Sequence, residues 1–256
     1  ITSREDGLLP VTITGTATPL AADHSSKVAS AQIKSAVLLA GLNARGTTIV
    51  TEPHASRDHS ESMMRHFGAS VSQDINADGS HRVTLDCEAE LVAKDILVPG
   101  DASSAAFVMV AALISADSDI TIPAVGMNPL RTGLITTLRE MGGNIEIGNE
   151  RIEGGEKIAD IRVRHSKLTG IAVPPERAAS MIDEYPVLSV AASVATGQTV
   201  MQGVAELRVK ETDRIKVMAD GLAMAGVTVA YDENSMTVTG GTIKAVSYTH
   251  LRAHET

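Results

Sequence analysis

The chain has 256 residues, of which 43% are hydrophobic and 2% aromatic, and its formal net charge is −9 at pH 7. This length and apolar content suffice for one large or two medium cores. The acidic balance and the scarcity of aromatic rings argue against a nucleic-acid surface, which needs clustered cations or stacking platforms. The longest apolar run covers ten residues, 105–114, whereas a membrane span needs about twenty, so we expect a soluble protein.

The two ends and the single cysteine indicate the compartment. The opening ITSREDG lacks the apolar core of a signal peptide, and Cys87 has no second cysteine to pair with, so we expect a cytoplasmic protein. Cys87 lies in the alternating run RVTLDCEA and is interpreted as a strand residue, not a nucleophile.

Residues 247–256 show no periodicity and resemble a translated adaptor sequence, so we expect them to be a non-native tail. His250 and His254 lie four apart in this tail without an acidic third ligand, and no metal site is expected.

Three segments of the chain repeat one order of elements. They begin at SAQIKSAVLLAGL, DASSAAFVMVAALI and IDEYPVLSVAASV, and each predicts an interior apolar helix, a strand, an Arg-bearing loop, an amphipathic helix and two strands. A glycine after the second helix recurs 74 and 84 residues apart, at Gly68, Gly142 and Gly226. An arginine in the loop recurs 74 and 83 residues apart, at Arg57, Arg131 and Arg214. This pattern predicts α/β modules with mixed sheets on packed helices.

Polar residues precede or open each first helix, and Asp101 and Ser103 are N-cap candidates. Three such helix ends could direct their dipoles at one phosphorylated ligand, although ordinary capping explains the same residues. Pro99-Gly100 interrupts the chain between a strand and a helix and indicates a domain boundary. We therefore expect one repeat in a first domain, 1–97, and two repeats in a second domain, 98–246.

The stretch LRVKETDRIK places Lys210 and Arg214 four residues apart, which on one side of a helix turn would make like charges repel. Either this face is solvated, or an anion lies between the two cations.

Five stretches together resemble the 5-enolpyruvylshikimate-3-phosphate synthase family, closest to its class II subgroup. In chain order they are ASAQIKSAVLLAGLNARGTTIVTEPHASRDH, VPGDASSAAF, GMNPLRTG, SMIDEYPVLSVAA and ELRVKETDRIKVMADGL. The resemblance implies the enolpyruvyl transferase fold, an α/β (α+β) architecture of two domains built from repeated α/β units, with ligands in the cleft between them. It implies transfer of the enolpyruvyl group from phosphoenolpyruvate to the 5-hydroxyl of shikimate 3-phosphate in aromatic amino acid biosynthesis, without a metal or organic cofactor. The implied partners are these two small molecules, with no nucleic acid or membrane, and the parent enzyme is expected to be monomeric.

The resemblance also implies roles in the second domain. Asp183 matches the carboxylate that accepts or relays the proton of the attacking hydroxyl, although by itself it is interpreted as an N-cap. Lys210 matches a catalytic-site lysine that contacts shikimate 3-phosphate, Arg214 matches the clamp on phosphoenolpyruvate, and Glu211 matches a proton-transfer partner beside the reacting carbon. Asp213 is interpreted as an acid that complements the helix dipole or orients Arg214.

In the first domain, Ser30, Ala31 and Gln32 match the segment that binds the phosphate of shikimate 3-phosphate. Ser30 would use its hydroxyl, Ala31 its backbone N–H, and Gln32 would reach both substrates. Arg57 would add another cation for shikimate 3-phosphate. Lys34, one turn on, is interpreted as solvent-facing or as a packing residue.

The family pattern extends beyond both ends of this chain, and one residue departs from it. Glu206 stands where some members carry a substrate-binding asparagine, so that role is not carried over. The family's flanking parts supply a catalytic lysine and arginines for both substrates, so we expect the isolated chain to lack useful synthase activity. Two alternatives stay open: an enzyme like UDP-N-acetylglucosamine enolpyruvyl transferase, or a non-catalytic ligand-binding fragment.

Overall fold

A computed structural model describes residues 1–86 and 90–243 of the chain, without the side chain of Asp6. Contacts between residues divide the chain into two compact units, Ile1–Asp95 and Ile96–Thr256. The division falls two residues before the predicted boundary. The predicted strand position of Cys87 and the predicted tail 247–256 lie outside the described residues.

The first unit contains one copy of the repeated order, here called copy 1. After a 3-10 turn at Glu5–Gly7, its elements are β1 (Asp23–Ser25), α1 (Ala31–Gly41), β2 (Thr48–Glu52), α2 (His59–His66), β3 (Ser70–Ile75) and β4 (His81–Asp86). They form a sheet in the order β1-β2-β4-β3, in which only β1 and β2 are parallel. Two parallel neighbours need a crossover connection, and α1 supplies it.

The second unit contains two further copies. Copy 2 consists of α3 (Ala102–Ile114), β5 (Asp119–Gly126), α4 (Gly133–Glu140), β6 (Asn144–Glu153) and β7 (Glu156–Arg164). Copy 3 consists of β8 (Ala172–Val173), α5 (Tyr185–Val194), β9 (Gln198–Gln202), α6 (Arg214–Met224), β10 (Thr228–Tyr231) and β11 (Ser235–Thr239). Their sheets run β5-β7-β6 and β8-β9-β11-β10. The predicted α/β class with repeated units is therefore confirmed.

A short parallel strand leads each copy, which the sequence did not predict. It is β1 in copy 1 and β8 in copy 3, and in copy 2 a single parallel bridge between Gly100 and Val125 takes its place. The three copies thus share a β-α-β crossover followed by a helix and a hairpin.

The recurring glycines end the second helix of each copy. Gly68, Gly142 and Gly226 have φ angles of 100°, 94° and 81°, a region that glycine enters without the steric cost of a Cβ. In all three copies the N–H of the next residue donates to the carbonyl five residues earlier, at 2.9, 2.8 and 3.0 Å. This is the Schellman arrangement, and it explains why the glycines keep their place.

The first helices differ in burial between the two units. In the second unit α3 and α5 belong to one core, with Met109, Leu113, Leu188 and Ala191 almost or completely buried, as predicted for interior helices. In the first unit the same prediction is wrong for α1, which buries only one stripe, Lys34, Leu38 and Gly41. Within that unit a single sheet covers only one side of the helix.

Lys34 lies in this buried stripe and is 1% exposed. Its Nζ lies 3.0 Å from Glu52 Oε1 and 2.9 Å from Glu61 Oε1, and it donates to the carbonyl of Ser56 at 3.1 Å. Burial raises the pKa of Glu52, but hydrogen bonds from Ser56 and Lys34 outweigh it and leave that pKa below its usual value. The solvent-facing interpretation of Lys34 is therefore wrong, and the packing interpretation holds with an ion pair added.

We expect Gly142→Ala to lower the free energy of unfolding by about 1 kcal/mol or more, because alanine is strained at this positive φ. Gly148 is the matched control: it has open space around it and no positive φ, so Gly148→Ala should be neutral or slightly stabilising. Urea unfolding of the chain followed by circular dichroism measures both. Equal effects of the two substitutions would contradict the C-terminal cap.

We expect Lys34→Met to lower the free energy of unfolding by about 3–5 kcal/mol, because it leaves two buried carboxylates without their cation. Lys216→Met is the control, since that lysine forms an exposed pair with Asp220 at 2.5 Å, and such pairs contribute about 0–1 kcal/mol. Denaturant titration of both variants checks this. A loss in Lys34→Met no larger than in the control would show that the pair does not stabilise the unit.

Candidate active site

The charged run of the second unit is not a helix turn. A 3-10 helix, Ala205–Val209, leads to Lys210, whose backbone is extended, and α6 begins only at Arg214. The expected placement of both cations on one helix turn is therefore wrong. Each cation has its own carboxylate: Lys210 Nζ lies 2.5 Å from Glu206, and Arg214 Nη2 lies 2.7 Å from Glu211.

Asp213 fixes the start of α6. It is the N-cap, and its Oδ1 accepts a hydrogen bond from the backbone N–H of Lys216 at 3.0 Å. Its other oxygen pairs with Arg208 at 2.5 Å. Of the two predicted roles, the interaction with the helix dipole fits this position, whereas the described bonds tie Asp213 to Arg208 rather than to Arg214. Because the helix begins at a capped position, the backbone of its first residue, Arg214, is fixed.

The Arg214 guanidinium joins two carboxylates. Its Nε and Nη2 donate to Glu211 Oε2 at 3.0 and 2.7 Å, and its Nη1 donates to Asp183 Oδ1 at 3.3 Å. A hydrogen bond from its own backbone N–H, followed by the bond from Arg214, holds the pKa of Glu211 below its usual value. Arg214 thus contacts two other residues with predicted roles, Asp183 and Glu211, and links them through its guanidinium.

Asp183 lies in a 3-10 turn, Ile182–Glu184, directly before α5. The N-cap interpretation is wrong, because the N-cap position of α5 belongs to Glu184, which makes no side-chain capping bond. The Asp183 side chain is partly exposed, at 31%. A carboxylate in such a position can contact both Arg214 and a ligand.

Glu184 is the buried neighbour of Asp183, at 3% exposure. It accepts a hydrogen bond from the Ser103 hydroxyl, which in turn accepts one from Arg131 Nη2. Arg131 Nη2 also lies 3.2 Å from Asp101 Oδ1 and 3.8 Å from Glu184 Oε1. Sequence reasoning missed this cluster. Its one signal was a second acid beside Asp183 at the entrance of an apolar helix, where a charge needs a partner.

Copies 2 and 3 each have an Arg–Asp ion pair before their first helix. In copy 2 Arg131 pairs with Asp101, which is confirmed as the N-cap of α3, whereas Ser103 lies within the helix. In copy 3 Arg214 pairs with Asp183 at 3.3 Å. The recurring arginine thus contacts an aspartate just before the first helix in both copies.

The remaining predicted residues belong to the first unit. Ser30 is the N-cap of α1: its Oγ accepts from the Ile33 N–H at 3.4 Å and donates to Gln32 Oε1 at 3.3 Å. Ala31 is the first residue of the helix. Arg57 lies between β2 and α2 and is partly buried. Their roles in substrate binding stay predictions.

Among residues 1–86 and 90–243, no three His, Cys, Asp or Glu side chains are grouped so that they could hold a metal ion. No helix within the described part of the chain has the length and apolarity needed to cross a membrane.

Comparison with known proteins gives consistent matches. A family model described as EPSP synthase (3-phosphoshikimate 1-carboxyvinyltransferase) matches residues 1–254. The 3-phosphoshikimate 1-carboxyvinyltransferase of Granulibacter bethesdensis is 56% identical over 239 residues, 93% of this chain and 53% of that protein. The protein of the same name from Rhizobium johnstonii is 53% identical over 240 residues, 94% of this chain and 53% of that protein.

Solved structures extend the comparison to the fold. EPSP synthase from Acinetobacter baumannii matches with a TM-score of 0.86 at 47% identity, over 93% of this chain and 53% of that chain. The enolpyruvyl transferase NikO from Streptomyces tendae matches with a TM-score of 0.57 at 18% identity, over 80% of this chain and 45% of that chain, a likeness in fold alone. The chain spans about half the length of the curated relatives it matches. With its motifs, its repeated α/β copies and these matches, the chain belongs to the EPSP synthase (3-phosphoshikimate 1-carboxyvinyltransferase) family.

Proposed function

We propose that the chain forms about half of an enzyme that transfers the enolpyruvyl group of phosphoenolpyruvate to the 5-hydroxyl of shikimate 3-phosphate and releases phosphate. The observation that carries this proposal is the contact of Arg214 with both Asp183 and Glu211, at 3.3 and 2.7 Å. A reaction between an anionic enol ester and an alcohol needs a cation for the anion and carboxylates for the protons. The names of the relatives support the same reaction.

The reaction moves protons at an oxygen and at a carbon, and we assign one of the two carboxylates to each place. In the first half, the 5-hydroxyl oxygen bonds to C2 of phosphoenolpyruvate, Asp183 takes the hydroxyl proton, and Glu211 in its protonated form gives a proton to C3, which becomes a methyl group. In the second half, the bond from C2 to the phosphate oxygen breaks, the phosphate leaves with the proton held by Asp183, and the methyl group gives a proton back to Glu211 so that the double bond returns. Glu211 is the proposed partner for the protons at carbon, since a general acid or base must reach its atom within hydrogen-bond distance.

The cations of the charged run fit two anionic substrates. Three of the five N–H groups of Arg214 are used in the bonds described above, so its fork can still offer two to the carboxylate or phosphate of phosphoenolpyruvate. Lys210 is a compact charge suited to shikimate 3-phosphate. Its partner Glu206 is 58% exposed, and an exposed pair of this kind contributes little, so a substrate can replace that carboxylate at small cost.

The first unit would bind the phosphate group of shikimate 3-phosphate. Ser30 caps α1, so its hydroxyl, the Ala31 N–H and the Gln32 side chain stand at the positive end of an 11-residue helix, a position that favours anions. Arg57 would add a second charge. In the same proposal, each unit belongs to one domain of a monomeric, cytoplasmic parent enzyme that uses no cofactor, nucleic acid or membrane.

One alternative is disfavoured and one remains for experiment. An enzyme like UDP-N-acetylglucosamine enolpyruvyl transferase is disfavoured, because the relatives carry the name 3-phosphoshikimate 1-carboxyvinyltransferase. A ligand-binding fragment without catalysis is favoured for the isolated chain by its coverage of about half of those relatives.

We expect the purified chain to release no phosphate above background from the two substrates, because part of the electrostatic stabilisation lies in the rest of the parent enzyme. A phosphate-release assay measures this beside the Granulibacter bethesdensis enzyme. Isothermal calorimetry with shikimate 3-phosphate separates binding from turnover. Turnover close to that of the full-length relative would refute the proposal that part of the active site lies outside this chain.

We expect Arg214→Ala to lower kcat/KM for phosphoenolpyruvate about 100-fold or more, because a preorganised cation is lost. The host is the Granulibacter bethesdensis enzyme in which the matching segment of 239 residues is replaced by the aligned part of this chain. Asp213→Asn is the matched control, since asparagine keeps the N-cap, and its effect should stay below about threefold. Steady-state kinetics with each substrate varied in turn checks this, and small, equal effects would indicate that the run is a solvated loop.

A further inference from the structure

We propose that Arg131 and Glu184 are positioning residues that hold Asp183 in place for proton transfer. This inference rests on the proposed function, because it assigns residues that support the proposed base. Neither residue is given a role in chemistry by the motifs above, and neither is placed against a substrate here.

Glu184 is buried and held by partners from copy 2. Its side chain is 3% exposed, and a carboxylate so far from water needs charge-assisted or hydroxyl partners. The Ser103 hydroxyl donates to it, and Arg131 Nη2 stands 3.8 Å away while donating to that same hydroxyl. The cluster therefore fixes the position of Glu184 from two elements of copy 2.

The backbone links Glu184 directly to Asp183. Glu184 and Asp183 share the 3-10 turn Ile182–Glu184, and the Glu184 N–H donates to the Met181 carbonyl at 3.0 Å. A turn of three residues leaves little freedom between neighbours. Anchoring the Glu184 side chain therefore anchors the Cα of Asp183.

The contact between Asp183 and Arg214 is sensitive to small displacements of Asp183. Its bond from Arg214 Nη1 is 3.3 Å long, near the upper limit for a hydrogen bond of this kind. A shift of about 1 Å would break the contact, and a displacement of this size can reduce an enzymatic rate about 100-fold. Arg131 thus acts on Asp183 through Ser103 and Glu184, without touching a substrate.

If Arg131 only stabilised the fold, its substitution would have different effects. A double variant distinguishes this stabilising role from the positioning role. Arg131→Met removes the cation beside the buried Glu184, which lowers stability and loosens the turn. Arg131→Met with Glu184→Gln removes the buried negative charge as well, so stability should return while the anchored geometry does not. Arg131→Lys keeps the charge without the planar fork and should fall between wild type and Arg131→Met.

The exchange experiment uses this chain itself. NMR hydrogen exchange of the Glu184 amide should accelerate about tenfold or more in Arg131→Met and in the double variant, because opening of the turn becomes easier. The melting temperature should fall in Arg131→Met and return to within about 3 °C of wild type in the double variant. The control is Arg162→Met, which removes an exposed pair with Asp119 at 2.6 Å in the same unit and should leave the exchange unchanged. Unchanged exchange in Arg131→Met would overturn the proposal.

The kinetic experiment uses the hybrid enzyme described above. Arg131→Met and the double variant should lower kcat about tenfold or more with KM values changed less than about threefold, since ground-state binding is untouched. A double variant that regains both melting temperature and kcat would overturn the positioning role in favour of a stabilising one. If the unsubstituted hybrid lacks turnover while the Granulibacter bethesdensis enzyme is active, the proposed function fails, and the exchange data still decide whether Arg131 anchors the turn.

Discussion

The parallel pairing that opens each copy, a strand pair in copies 1 and 3 and a single bridge in copy 2, determines where the charged residues gather. Two adjacent parallel strands end at the same edge of a sheet, and the connection between them must cross over through a helix. The first helix of a copy therefore begins beyond that edge, and the arginine-bearing loop leaves the second strand at the same edge. In α/β sheets this edge is the usual place for ligands. The bonds of Arg131 with Asp101 and of Arg214 with Asp183, at 3.2 and 3.3 Å, follow from this topology.

Charge balance then shapes what this edge can bind. In the second unit its cations have carboxylate partners: Arg214 has Asp183 and Glu211, and Lys210 has Glu206. A ligand therefore meets cations that already have carboxylate partners, and where it displaces one, the exposed Glu206 and Glu211 cost the least because water can solvate them afterwards. A ligand with two or more negative charges regains more than it displaces, which favours phosphorylated molecules over neutral ones. The acidic net charge of the chain is compatible with such local selectivity.

Sequence reasoning predicted the parts of the fold that local rules determine. The helix–strand order and the glycine spacing were predictable, because Gly142 and its counterparts close helices through backbone geometry alone. The leading strands were not, since β8 has two residues and shows no alternation. The ion pairs of Lys34 were missed because its partners Glu52 and Glu61 lie on other elements. Motif resemblance named Asp183 and Arg214, but their contact spans 31 positions and arises only from the crossover topology.

The recurring arginine occupies the same scaffold position in copies 2 and 3, and under the proposed function it serves structure in copy 2 and chemistry in copy 3. Arg131 and Arg214 have similar side-chain exposure, 16% and 19%, and both contact an aspartate before a helix. They differ in the second carboxylate, because Glu184 near Arg131 is buried whereas Glu211 beside Arg214 is 51% exposed. A buried carboxylate cannot leave its cation without a cost of several kcal/mol, so Arg131 is held in a fixed cluster. An exposed carboxylate can turn into water, so under the proposed function Arg214 would release Glu211 toward the reacting carbon while its other donors hold the anion. In that proposal copy 2 provides the rigid support, and copy 3 carries the groups that move.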